Sequence, residues 1–154
     1  MSEQQNDNQY EKEVKEHIAY VRHNLLFIIN ELYTRGDEHD ASKLESPERE
    51  VFREHQGKLK DIEFGSPEYK AMLDTVRPAI LNHYAKNRHH PEHWPNGIED
   101  MDLIDLIEMV ADWVAATKRN KNGNVHKSLA HNVPKFRISP QLEKILLNTI
   151  NRYF

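Results

Sequence analysis

The chain contains no cysteine. That absence removes disulfides, thiolate zinc sites and cysteine nucleophiles together, and it fits a reducing compartment. Any metal must therefore be held by nitrogen and oxygen. Long apolar runs are missing too. The longest, residues 25–29, falls far short of the roughly 20 residues that cross a bilayer, and the polar start at 2–9 has no apolar signal-peptide region. The expectation is a cytoplasmic protein with no membrane partner. The formal net charge is −4 with histidine neutral, so there is no bulk attraction to nucleic acid. A phosphate-bearing ligand would have to be met by local cations or a metal ion. Ten histidines make the true charge depend on pH and on metal occupancy.

What is present reads as helix, with almost nothing that reads as strand. At 154 residues the chain suits one all-α domain of five or six helices over 10–154, behind a disordered tail at 1–9. Ser46-Pro47-Glu48, Ser66-Pro67-Glu68 and Ser139-Pro140-Gln141 repeat one helix-start signature: a hydroxyl N-cap, proline at the first helical position, then an acid or amide. A first helix is expected over 10–35, stopping at Gly36. It is apolar nearly all round between Ile18 and Tyr33, which predicts a central position. The segment after Pro67 reads as helix to about residue 86 with a bend at Pro78, and 89–97 reads as a proline-rich loop. Helix resumes over 101–121, 122–138 reads as a polar connection, and a last amphipathic helix occupies 140–152.

Chemistry concentrates at His39-Asp40-Ala41-Ser42-Lys43. Adjacent His and Asp can face one cation, while a Lys one turn later can reach its anionic ligand. His23 precedes this stretch, and His83, His89, His90, His93 and Asp112 follow it. Taken alone, His23 in an apolar helix reads as a core histidine bonded to a carbonyl. Asp105, Glu108 and Asp112 share one stripe of a helix, and for Asp105 and Glu108 a solvated face is the plainer reading. Asp112 differs, because Val110-Ala111-Asp112-Trp113-Val114 surrounds it with small and apolar residues.

This order of residues resembles the HD-domain superfamily of metal-dependent phosphohydrolases over about residues 17–120. His39-Asp40-Ala41-Ser42-Lys43 is similar to the His-Asp-x-x-Lys of the HD-GYP phosphodiesterases. The run from His89 to Gly97 is similar to their His-His-Glu and glycine loop, and the segment around Val110-Ala111-Asp112 looks like their last metal-binding helix. The GYP tripeptide itself is missing, with Trp94-Pro95-Asn96-Gly97-Ile98 in its place, so cyclic dinucleotide specificity is not carried over. An Asn-Arg-His-His-Pro-Glu-His signature is also similar to a small group of uncharacterised phage and bacterial proteins.

The resemblance implies an HD-like fold and a metal site from His23, His39, Asp40 and Asp112. A second ion would add His83, His89 and His90, with His55 the alternative to His83; the single-ion site is the better supported of the two. The implied cofactor is a divalent transition metal (Mn, Fe, Zn, Co or Mg). Asp40 and Lys43 would be catalytic, and Arg88, Lys118 and Arg119 would contact substrate phosphate. The expected activity is hydrolysis of a nucleotide or another phosphoester. The alternatives are a non-catalytic protein that binds or sequesters a nucleotide, and a di-iron oxygenase of HD type. The expected partner is a small phosphoester, and a homodimer is left open.

Overall fold

The computed structural model describes residues 3–55, 66–118 and 123–154. Among these the chain is all-α, with no strand. Its helices are α1 (Glu3–Glu38), α2 (Glu48–His55), α3 (Pro67–Lys86), α4 (Leu103–Lys118), α5 (Val125–Lys135) and α6 (Pro140–Tyr153). Short 3-10 turns at Ala41–Leu44, Pro91–His93 and Gly97–Asp100 occupy the connections. No described helix is long and apolar enough to cross a membrane.

Two of the three serine-proline signatures open helices as expected. Pro67 starts α3 behind Ser66, and Pro140 starts α6, whose Leu142 amide donates to Ser139 Oγ at 3.3 Å. At the third, Pro47 stays in the turn and α2 begins one residue later, at Glu48. Gly36 does not stop α1, which also takes in residues 3–9 of the expected tail. One α-carbon without a side chain weakens a helix by only about 1 kcal/mol. A long helix absorbs that cost.

The chain divides into two units, Met1–Asp37 and Glu38–Phe154. The first consists of α1, and its apolar residues are exposed: Ile18, Val21, Leu25, Phe27, Ile28 and Ile29 are all on its surface. Within this unit, made of one helix, those residues have no apolar core to enter. The second unit has a core of its own. Met109, Val110 and Val114 of α4 pack with Leu129 of α5, Leu146 and Ile150 of α6, and Ile98 and Ile138 of the connecting segments. Each such side chain contributes about 1.5–3 kcal/mol when fully buried.

Helix α5 corrects the polar connection expected over 122–138. Its apolar residues, Val125, Leu129 and Val133, recur every four positions, a stripe too narrow to stand out among Lys, His and Asn. Asn124 caps its start by accepting from the Lys127 amide at 3.1 Å. Its end is closed by the Ile138 amide donating to the Val133 carbonyl, with Arg137 in the left-handed region at φ 54°. Only Leu129 of α5 is fully buried. Leu129→Ala is therefore expected to cost about 2–5 kcal/mol, read as a lowered urea midpoint of the helical signal. A midpoint equal to that of the parent protein would mean that α5 does not close the core.

Candidate metal centre

His39 and Asp40 follow directly on α1, and the backbone there turns sharply. Asp40 has φ 57° and ψ 16°, the left-handed conformation that Asp and Asn tolerate better than most residues. The following 3-10 turn places Ser42 in a buried position beside α2 and α3. His83 lies in the last turn of α3, His89 and His90 lie in the segment after it, and Asp105, Glu108 and Asp112 share one stripe of α4.

These elements bring the donors together. Asp40, His83, His89 and His90 offer ligand atoms within 4.8 Å of one another, so do His39, Asp40 and Asp112, and so do His39, His89 and Glu108. Asp40 belongs to the first two. Its Oδ1 lies 3.1 Å from His83 Nε2 and 3.6 Å from His89 Nε2, while its Oδ2 lies 3.6 Å from His39 Nε2. His39 Nε2 is also 3.6 Å from Asp112 Oδ1, and the Nε2 atoms of His83 and His90 face each other at 2.9 Å. Such a convergence of lone pairs repels itself unless protons or a cation sit among them. Two of its atoms, Asp40 Oδ1 and His89 Nε2, are buried and receive no hydrogen bond. Buried polar atoms without partners are costly, on the order of 1–3 kcal/mol each. This donor set of imidazole nitrogens and carboxylate oxygens is the one that suits a divalent transition ion.

Carboxylates behind the imidazoles aim them. Glu48, fully buried, accepts from His83 Nδ1 at 2.9 Å and Ser42 Oγ at 2.8 Å on one oxygen, and from Asn82 Nδ2 at 2.8 Å on the other. Glu108 Oε1 accepts from His39 Nδ1 at 2.9 Å and lies 3.0 Å from His89 Nδ1. Each histidine so held donates from Nδ1 to its carboxylate and turns Nε2 inward. The face of α4 expected to be solvated therefore points into the protein, with Asp105 fully buried and Glu108 nearly so.

The electrostatics follow from this crowding. His39, between the carboxylates of Asp112 and Glu108, is raised to about 10 despite its partial burial. Burial works to raise the Asp40 carboxyl, but His83 and Lys43 outweigh it and hold the group well below the usual carboxylate range. Asp112 is lowered in the same way, burial being overcome by His39. His90 moves in the opposite direction, pushed down to about 3 by burial and by its neighbours His89 and His83.

The structure thus gathers His39, Asp40, His83, His89, His90 and Asp112, with Lys43 Nζ 2.5 Å from Asp40 Oδ2. The donors named from the sequence are brought together, His23 excepted. His23 is exposed on α1, edge-on to Phe27, and none of the donor groups among the described residues includes it. His83 belongs to a donor group and His55 does not; His55 Nδ1 bonds the Val51 carbonyl at 2.8 Å. Arg88, expected at substrate phosphate, is instead held by Asp105 through Nε at 3.1 Å and by Asp102 through Nη2 at 3.2 Å, with its guanidinium over the Trp94 ring. A buried aspartate needs that counter-charge, which ties Arg88 into the fold. Lys118 is exposed at the end of α4, and Arg119 lies outside the described residues. Glu48 and Glu108 were missed by sequence reasoning. Glu108 carried a signal, since it precedes Asp112 by one helical turn on the same stripe.

No curated protein and no solved structure matches the chain. Residues 6–152 match the family model described as "Family of unknown function (DUF5662)", and with that extent of coverage the chain belongs to this family.

Proposed function

We propose that this chain is a metal-dependent phosphohydrolase that acts on a nucleotide or another small phosphoester, in the manner of the HD-domain enzymes its motifs resemble. The observation that carries the reading is the shared aspartate. Asp40 presents one oxygen to His83 and His89 and the other to His39, and one of those oxygens is buried without a hydrogen bond. His83, His89 and His90 with Asp40 would hold one divalent ion, and His39, Asp40 and Asp112 a second. A cation bound there supplies Lewis acidity toward a phosphoryl oxygen and makes its water acidic near neutral pH.

The chain's own groups complete the site. Lys43, half-exposed and one turn from Asp40, carries the cation placed to meet phosphate oxygens. Glu48 and Glu108 fix the imidazoles before substrate arrives, so that little reorganisation accompanies binding. Tyr84, whose ring centroid lies 4.9 Å from that of His90, offers an aromatic surface for a base. Burial, and then nearby Glu92, push its hydroxyl above the ordinary tyrosine value.

The test is phosphate or nucleotide release from a panel of nucleoside mono-, di- and triphosphates and model diesters, with Mn, Fe, Zn, Co or Mg supplied singly. Turnover with at least one metal, lost in Lys43→Ala although that variant still retains the metal, is the expected result. Metal retention with intact nucleotide recovered after denaturation would replace the reading with sequestration. Oxygen uptake by the ferrous protein without phosphate release would replace it with oxygenase chemistry.

A further inference from the structure

Glu108 touches both halves of the site. Its Oε1 lies 2.9 Å from Nδ1 of His39, which groups with Asp40 and Asp112, and 3.0 Å from Nδ1 of His89, which groups with Asp40, His83 and His90. Glu48 differs in this respect. It holds Nδ1 of His83 and no ring of the other group, its remaining bonds going to Ser42 and Asn82. The tautomer of His89 follows from its surroundings: Nε2 is buried with no hydrogen bond, so the ring proton sits on Nδ1 against Glu108. We propose that Glu108 is a positioning residue that couples two cation positions, setting the tautomer, orientation and basicity of one histidine in each.

The proposal rests on the reading that the site holds metal, and it adds a division of labour between two buried acids. A carboxylate hydrogen-bonded to a ligating imidazole strengthens that ligand, and its loss costs roughly 10–100-fold in metal affinity or activity. Removing Glu108 withdraws that support from both positions at once. Removing Glu48 withdraws it from one. Glu108→Asp separates reach from charge, because the shorter side chain keeps the charge but draws the shared oxygen back from both rings.

The experiment is calorimetric titration of the full chain with Mn²⁺ alone, paired with electron paramagnetic resonance of the loaded protein to detect coupled ions. The parent protein should take up two ions. Glu108→Ala should weaken both binding steps by roughly 10–100-fold, Glu108→Gln should weaken both by less, since its amide oxygen still accepts, and Glu48→Gln should weaken one step. Glu108→Asp should weaken both steps although the charge is kept, because the oxygen that meets both rings is drawn back. If Glu108→Ala does not fold, Glu108→Gln carries the decision. Two unchanged steps, or loss confined to one step in Glu108→Gln, would overturn the coupling. Uptake of one ion by the parent protein would overturn it as well and leave the metal reading standing. No uptake at all would remove both.

Discussion

Asp40→Asn is expected to abolish retention of a divalent cation while leaving the helical signal near that of the parent protein. The substitution keeps the size of the side chain and a residue type that tolerates the left-handed backbone found there. What it removes is the charge between His83 and His89 on one side and His39 on the other. Because two of the three donor groups use this carboxylate, the loss should exceed the roughly 10–100-fold expected for a partner behind a ligand. Asp40→Ala should lose the metal equally and also lower stability, since a side chain without polar atoms in that conformation costs on the order of 1–2 kcal/mol. Equilibrium dialysis against Mn²⁺ followed by elemental analysis reads the first effect, and urea unfolding of the metal-free proteins reads the second. An Asp40→Asn protein that still retains its ion would show that the carboxylate is not a ligand. The shared-site reading would fall with it.

The sequence made the helical class legible because helix boundaries are local events. Serine-proline starts, Gly at turns and apolar spacing each act within a few residues, and α3, α4 and α6 end or begin close to where those signals stand. Helix α5 escaped because only one of its residues is fully buried, so its stripe was faint. The site was legible to the extent that its residues are chemically unusual. Adjacent His39-Asp40, the His89-His90 pair and an aspartate among small apolar residues all declare themselves without coordinates. Their grouping was another matter. Which histidine joins which carboxylate depends on how α3, α4 and the turn after His39 approach one another, and no local spacing encodes that approach. Glu48 and Glu108 were hidden for a different reason: an acid on an amphipathic helix reads the same whether its face meets water or a ring of imidazoles. The exposed apolar side of α1 is the converse case, a pattern that predicted burial in a helix whose own unit offers nothing to bury it.

Metal affinity should climb with pH across the neutral range, and the thermal stability of the metal-free protein should move the other way. His39 is the reason. In the metal-free protein the carboxylates of Asp112 and Glu108 hold its imidazolium up to about 10, against an ordinary value of 6.5. A cation that takes Nε2 must displace that proton. Between pH 7 and 9 the apparent affinity should therefore rise about tenfold per unit from this residue. His90, pushed down to about 3, is already neutral over that range, and Asp40 and Asp112, both lowered, are already ionised, so none of the three adds to the slope. For stability the sign reverses. A group whose folded value lies above its unfolded one stabilises fully below 6.5, and that contribution is lost as pH rises toward 10. The metal-free melting temperature should fall across this window while the increment produced by Mn²⁺ grows. Asp112→Asn should flatten the metal-free profile, because it removes the larger of the two carboxylate influences on His39. Calorimetry in buffers of different ionisation enthalpy counts the released protons directly. A count near zero at pH 8, with a melting temperature indifferent to Asp112→Asn, would mean that His39 is neutral before the ion arrives and that its two carboxylate neighbours are there to orient the ring and not to charge it.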